Sequence, residues 1–232
     1  MVRILTKMKI KMKNILYLFL IAISISSCKV DNFNPPSVTL SGKVIDNVTN
    51  DMIENGGVNS GTIIQLFENN STQPILSNSF PDGHFVNAAV FTGNYKLVAV
   101  GAFKMAGDTI RTTISKNMEV DIKVLPNLRL KATLQNLNGT TATVKVEYSK
   151  VFDTEVLNEL AIVWSAIDNP NIYSNSEGGK IINNVTSQGL TTGEVVFTIT
   201  GLTAGTRYYI RAAGRTNNLG KYYNYSTTIK TQ

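Results

Sequence analysis

Apolar and polar positions alternate with a period of two over short runs through most of the chain. Val38, Leu40, Gly42 and Val44 fall on one side, with Thr39, Ser41 and Lys43 on the other, the pattern of a strand with one buried face. Thr62 to Phe67 is more uniformly apolar and predicts a strand buried on both faces. Ile75-Leu76 begins a third run, and Pro81-Asp82-Gly83 is a turn signal ahead of His84 to Val90. In Gly93 to Val100 the residues Tyr95, Leu97 and Ala99 share a side. Ile110 to Ile114 follows, and Met118 to Val124 reads as one strand with Val120, Ile122 and Val124 inward.

Pro126-Asn127 interrupts the pattern, which then restarts. Leu128, Leu130, Ala132 and Leu134 alternate with Arg129, Lys131 and Thr133, and Asn138-Gly139 predicts a hairpin turn into Thr141 to Tyr148. Leu160 to Ser165 is a third strand of this half, with Ile181-Ile182 a short fourth. Val195 to Thr200 and Arg207 to Ala213 predict a hairpin closed by Gly201 to Gly205, and Tyr225 to Lys230 ends the set. No amphipathic helix interrupts these runs. The expectation is an all-β protein of two tandem β-sandwich domains, residues 37–125 and 126–232.

The first residues follow another rule. Met1 to Asn14 carries Arg3, Lys7, Lys9, Lys11 and Lys13 without an acid, and an apolar run from Ile15 to Ile25 follows. That is the basic and hydrophobic pair of regions of an export signal, shorter than the roughly 20 apolar residues that span a bilayer. Ile25-Ser26-Ser27-Cys28 resembles a lipobox, which makes residues 1–27 a signal peptide and Cys28 the lipidated first residue of the mature chain. Residues 28–36, with Pro35-Pro36 barring helix and central strand, are expected to form a tether from the lipid.

This processing changes the charge. The whole chain has 22 Lys+Arg against 16 Asp+Glu, a formal +6. Without the five basic residues of the signal, 17 face 16, or about +1, so the mature protein lacks the electrostatic footprint of a nucleic-acid partner. Cys28 is the only cysteine. Its lipidation leaves no thiol for a disulfide, nucleophile or metal, and the fold must rest on its apolar cores.

Family resemblances are carried by several stretches. Ser41-Gly-Lys-Val-Ile-Asp46, Gly61-Thr-Ile-Ile-Gln-Leu-Phe67 and Phe91-Thr-Gly-Asn-Tyr-Lys-Leu97 resemble the carboxypeptidase regulatory-like domains, transthyretin-like sandwiches with a Gly-x-Tyr element. Phe197-Thr-Ile-Thr-Gly-Leu-Thr-Ala-Gly-Thr-Arg-Tyr-Tyr-Ile-Arg211 resembles the late hairpin of fibronectin type III domains, with Tyr208 in the tyrosine-corner position. With Cys28 and Asp31-Asn-Phe-Asn-Pro-Pro-Ser37, the mature chain resembles a two-domain lipoprotein family of Bacteroidetes associated with Sus-type glycan-uptake loci. That resemblance implies location and company, and supplies no activity. It places the protein at the outer membrane, lipid-anchored at the cell surface, with the periplasmic face as the alternative.

Catalytic constellations are not evident. The one histidine, His84, reads as a strand-edge residue, and neither a Gly-x-Ser-x-Gly elbow nor a metal-ligand spacing occurs. Asp153, Glu155 and Glu159 read as a charged, solvated loop, although a carboxylate pair would suit glycoside hydrolysis. Asp51 to Gly61 offers oxygen donors without the EF-hand spacing. No cofactor or metal is therefore expected.

Aromatic residues are the better lead, because sugar rings stack their C–H faces on Tyr or Trp. Trp164 shares a face with Leu160 and Ile162 and reads as core. Tyr208 reads as core and Tyr209 as outward, between Arg207 and Arg211. The candidate ligand-binding residues are Tyr209, Tyr222, Tyr223 and Asn224. Asp108-Thr109-Ile110 resembles a bacterial O-glycosylation signal at Thr109. The leading expectation is a non-enzymatic lipoprotein, an accessory glycan-binding or scaffold module beside a Sus-type outer-membrane complex. The alternatives are a spacer or adhesin-like module that binds protein alone, and a hydrolase with a carboxylate pair.

Overall fold

The computed structural model describes residues 34–57, 61–173, 177–184 and 191–231. Residues 1–27, expected to be a signal peptide, Cys28 and most of the expected tether lie outside the described residues. Among the described residues there is no α-helix. The protein is all-β, two tandem β-sandwiches within one compact unit, Pro36–Gln232.

The N-terminal sandwich comprises β1 (Val38–Asp46), β2 (Ile63–Glu68), β3 (Ile75–Asn78), β4 (His84–Val90), β5 (Gly93–Val100), β6 (Phe103–Met105), β7 (Ile110–Ile114), β8 (Met118–Glu119) and β9 (Ile122–Pro126). One sheet runs β4-β1-β9-β6 with β8 also on β1, and the facing sheet runs β3-β2-β5-β7. Between them Leu40, Ile64, Leu66, Leu97 and Ile122 are fully buried, each side chain contributing roughly 1.5–3 kcal/mol relative to exposure. β2 buries only its Ile64 and Leu66 face, correcting the expectation of burial on both sides, because no layer covers the outer face of its sheet.

The run Met118 to Val124 is not one strand. β8 pairs parallel with Leu40 and Ser41, and the ladder resumes with Ile122 opposite Val44. Between the two, Lys43 N–H donates to Asp121 Oδ1 (3.2 Å) and Val120 N–H to the Ser41 carbonyl (2.9 Å). The Val120 carbonyl would lie 2.0 Å from any Cβ at position 42, so the kink requires Gly42. β6 was invisible to alternation because three residues are too few to show a period.

The C-terminal sandwich comprises β10 (Leu128–Asn138), β11 (Thr141–Lys150), β12 (Leu157–Ser165), β13 (Gly178–Asn184), β14 (Thr192–Thr200), β15 (Tyr209–Thr216), β16 (Asn224–Tyr225) and β17 (Ile229–Lys230). Its sheets run β10-β11-β14 and β13-β12-β15-β16, with β17 on β15. The Asn138-Gly139 turn joins β10 to β11, Gly139 lying at φ 56°. Leu128, Val144, Val146, Leu160, Ile162 and Ile210 meet in the core.

β14 and β15 do not form the expected hairpin. β14 pairs with β11 and β15 with β12, so the Gly201 to Gly205 connection crosses from one sheet to the other. Leu202 plugs the core beneath it, and the Tyr208 hydroxyl accepts the Thr203 N–H at 3.2 Å. The local pattern locates the two strands, and the expected hairpin is an arch between sheets. Which partner each strand takes is settled by distant chain.

Only Asn127 separates β9 from β10, and polar groups bind the two sandwiches together. Asn224 donates from Nδ2 to the Ala102 carbonyl (3.0 Å) and accepts Leu128 N–H (3.0 Å). Arg129 grips both oxygens of the buried Asp46, at 2.6 and 3.0 Å. Burial pushes Asp46 up, but the bonds from Arg129 and from the Val48 amide outweigh it and hold the carboxyl below its usual range.

Arg211 is the largest fully buried side chain. It donates to Glu54 Oε2 (3.0 Å) and to the Asn55 carbonyl (3.2 Å) of the N-terminal sandwich, and to the Ser226 carbonyl (3.2 Å) of its own. Its guanidinium lies 4.6 Å from the centre of the Tyr225 ring. Alternation, which sets Tyr209 outward, implies a solvated face for this arginine too. It does share that face of β15, but the face is covered.

Candidate functional site

The sheet β13-β12-β15-β16 is buried on both sides over part of its area. Its inner face joins the main core. On its outer face Ala161, Val163, Ala213, Ile172, Tyr223 and Tyr225 form a second cluster, covered by the segment after β12 and the segment before β16. Registration places Glu159 opposite Arg215, Ala161 opposite Ala213 and Ile182, and Val163 opposite Arg211 and Lys180. All of these residues stand on the outer face.

At the rim of this cluster Tyr173 is 64% exposed. Its ring meets Tyr223 edge-on, with centroids 6.1 Å apart and planes at 89°. The backbone beneath it is pinned. Ile172 is buried, its N–H bonds the Tyr225 hydroxyl (3.2 Å), its carbonyl accepts Lys180 Nζ (2.7 Å), and Tyr173 N–H bonds Asn171 Oδ1 (2.9 Å). An exposed ring on so constrained a backbone loses little conformational freedom when a ligand stacks on it.

Charged groups flank the ring. Glu159 accepts Arg215 Nη2 on one oxygen and the Tyr223 hydroxyl on the other. Burial pushes Glu159 up, but those two bonds and the nearby Lys180 prevail, so its carboxyl titrates below its usual range. Tyr223 is driven well above the usual phenol range, first by burial and then by the Glu159 carboxylate. Burial also pushes Tyr225 up to about 12. Both tyrosines are therefore neutral hydroxyls at physiological pH, and Glu159 is an anion.

The structure distributes the sequence candidates over different places. Tyr223 is buried and faces Glu159, and Asn224 is buried at the sandwich junction. Both are occupied by partners within the protein, which removes them from the loop surface assigned to them. Tyr222 is half-buried, its ring packed against Gly220. Tyr209 is half-buried at the far end of β15, with Lys230 Nζ 5.5 Å from its ring centre. Thr109 is half-buried between β6 and β7. Trp164 is half-buried against the main core. Cys28 lies outside the described residues.

The acids read as one loop also separate. Asp153 is exposed, Glu155 turns toward Lys104 (3.6 Å), and Glu159 is a strand residue in the patch. His84 stacks on Phe80 with centroids 4.2 Å apart and bonds Asp82 through Nδ1 at 2.5 Å. Among the described residues no group of three His, Cys, Asp or Glu side chains could hold a metal.

Tyr173, Lys180 and Arg215 were missed. Tyr173 stands in a polar, strandless stretch where alternation says nothing. Lys180 is brought to it by the β12–β13 register, and Arg215 and Tyr223, about 40 and 50 residues away, by the folding of β15 and the following segment onto β12.

Two concavities are larger but less suited to stacking a sugar. A groove of about 580 Å³ is lined by Asn69, Asn94, Tyr95, Lys96 and Arg111, and a cleft of about 440 Å³ between the sandwiches by Asp46, Met52, Arg129, Lys131 and Tyr225. Tyr95 and Tyr225 are 2% and 5% exposed, so neither concavity presents a tyrosine ring face.

Comparison with known proteins places the fold. Residues 38–125 match the family described as "Protein of unknown function (DUF3823) N-terminal domain". A DUF3823 family protein from Bacteroides uniformis is similar in structure at 19% identity and a TM-score of 0.69, over 84% of this chain and 99% of that one. One from Bacteroides ovatus is similar at 24% identity and a TM-score of 0.66, over 84% and 98%. A "putative carbohydrate binding protein" from Bacteroides uniformis is similar at 15% identity and a TM-score of 0.70, over 85% and 99%. At these identities the likeness is one of fold. No curated protein matches the chain.

Proposed function

We propose that this chain is a non-enzymatic, glycan-binding lipoprotein of the outer membrane, anchored through Cys28 and acting as an accessory to a glycan-uptake complex. The observation that carries the reading is Tyr173, an exposed ring on a pinned backbone beside the ordered Glu159–Arg215 pair. Aromatic platforms flanked by fixed polar groups are how proteins hold sugar rings. The fold shared with the Bacteroides uniformis protein described by carbohydrate binding supports the same class of ligand. The lipobox and the resemblance to Sus-associated lipoproteins support the location and the partners. The Tyr208 bond is in keeping with the fibronectin type III resemblance.

The test is affinity electrophoresis of residues 29–232, which contain the whole compact unit, through gels carrying a panel of polysaccharides. Retardation by at least one polymer, lost in Tyr173→Ala, is expected. Uniform mobility on every gel would refute glycan binding. For the anchor, Cys28→Ala in the full-length precursor should release the protein from the membrane fraction, and retention through a lipid would refute it.

One observation favours the alternative of a protein-binding spacer or adhesin-like module. Leu219 is fully exposed at the tip of the loop between β15 and β16. Asn218 ties that loop to the Tyr222 backbone (2.9 and 3.0 Å), and Asn217 exchanges two bonds with Val156 (3.0 Å each). A rigid loop presenting one apolar side chain suits a protein contact. Leu219→Asp should leave glycan retention unchanged and abolish binding to a protein partner.

A further inference from the structure

The rim of the Tyr173 platform presents an exposed cation, Lys180, and this narrows the ligand. Both oxygens of Glu159 are engaged, one by Arg215 and one by Tyr223. Lys180 spends one N–H on the Ile172 carbonyl and is otherwise exposed, with two more to offer. Arg215 spends one N–H of Nη2 on Glu159 and is 19% exposed, so it reaches the surface only at the edge of its guanidinium. The charged groups bonded directly to Ile172 or Tyr223 or to their partners, Lys180, Glu159 and Arg215, sum to one positive charge.

Resting on the glycan-binding reading above, we infer that the preferred ligand is an anionic sugar, its ring on Tyr173 and its acid group against Lys180 and Arg215. A neutral sugar gains little from a free ammonium beyond an ordinary hydrogen bond, and both Glu159 oxygens already hold donors of the protein. A carboxylate needs only donors and a cation, which the rim supplies. Glu159 acts here as a positioning residue. It holds the Arg215 guanidinium, 5.5 Å from the centre of the Tyr223 ring, while the Tyr223 hydroxyl fixes its other oxygen.

The experiment compares retention of residues 29–232 in gels containing a polyuronate with retention in gels of neutral polysaccharides, at low and moderate salt. Wild-type protein should be retarded most by the polyuronate, with affinity falling as salt rises. Lys180→Gln should weaken polyuronate binding about tenfold without changing the melting temperature, and Lys180→Arg should restore it. Tyr173→Ala should abolish retention. Retention by neutral polymers alone overturns the inference and leaves the glycan-binding reading intact. So does polyuronate retention that survives Lys180→Gln or ignores salt. Retention by no polymer removes the underlying reading, and the inference with it.

Discussion

Arg211→Met tests how firmly the two sandwiches are joined. Methionine keeps much of the arginine's volume but removes the donors to Glu54 Oε2 and to the Asn55 and Ser226 carbonyls. Breaking one partner of a buried ion pair costs about 3–5 kcal/mol, because the other charge is left uncompensated. Glu54 is 19% exposed, so water relieves part of the penalty and the lower end, about 3 kcal/mol at neutral pH, is expected. Burial, with Asp82 and Asp168 nearby, already pushes Glu54 above its usual range despite Arg211. Without the arginine that rise grows. A carboxyl whose folded pKa exceeds its unfolded one gains stability as pH falls through the folded value. The deficit should therefore shrink between pH 7 and pH 5. Urea unfolding of residues 29–232 at both values reads this directly. Arg211→Met/Glu54→Met, which removes both charges, should recover most of the loss. A deficit under about 1 kcal/mol at pH 7, or one independent of pH, would refute the junction as argued.

Other expectations are smaller or cover the rest of the molecule. Tyr208→Phe deletes the acceptor of the Thr203 amide and should cost about 1 kcal/mol in the same unfolding assay, while Tyr209→Phe should cost nothing measurable. Against the upward push of burial, Asp46 is held below the usual carboxylate range by Arg129, and Glu159 by Tyr223 and Arg215. Their contribution is complete above their unfolded pKa values, about 4, and is lost as pH falls through the depressed folded values. Melting temperature should fall with acidification below about pH 4, and the combined Asp46→Asn and Glu159→Gln variant, less stable at neutral pH, should show a flatter acid limb.

Strand positions in this chain were largely legible because each strand has one face in a core, and one-sided burial writes a period of two into the sequence. Reading failed where that condition fails. β6 is too short to show a period, and the Gly42 kink that divides β8 from β9 depends on the absence of a side chain. Pairing was legible across Asn138-Gly139, where the turn itself dictates the partner. It was illegible across Gly201 to Gly205, where β11 and β12 decide. The candidate site was the least legible feature. Tyr222 and Tyr223 drew attention as a dense aromatic pair, yet burial makes Tyr223 a support and leaves the exposed ring to Tyr173. Arg211 looked like one more outward charge on an alternating strand. Only the presence of the other sandwich makes it interior.

Isothermal titration of residues 29–232 with oligosaccharides of the retained polymer, beside Tyr173→Ala and Tyr209→Ala, addresses the glycan-binding claim most directly. The Tyr173 variant should lose at least about tenfold in affinity, or 1.4 kcal/mol, with an unchanged melting temperature. The Tyr209 variant should bind as wild type does. Equal affinity of wild type and Tyr173→Ala would contradict the assignment of the site.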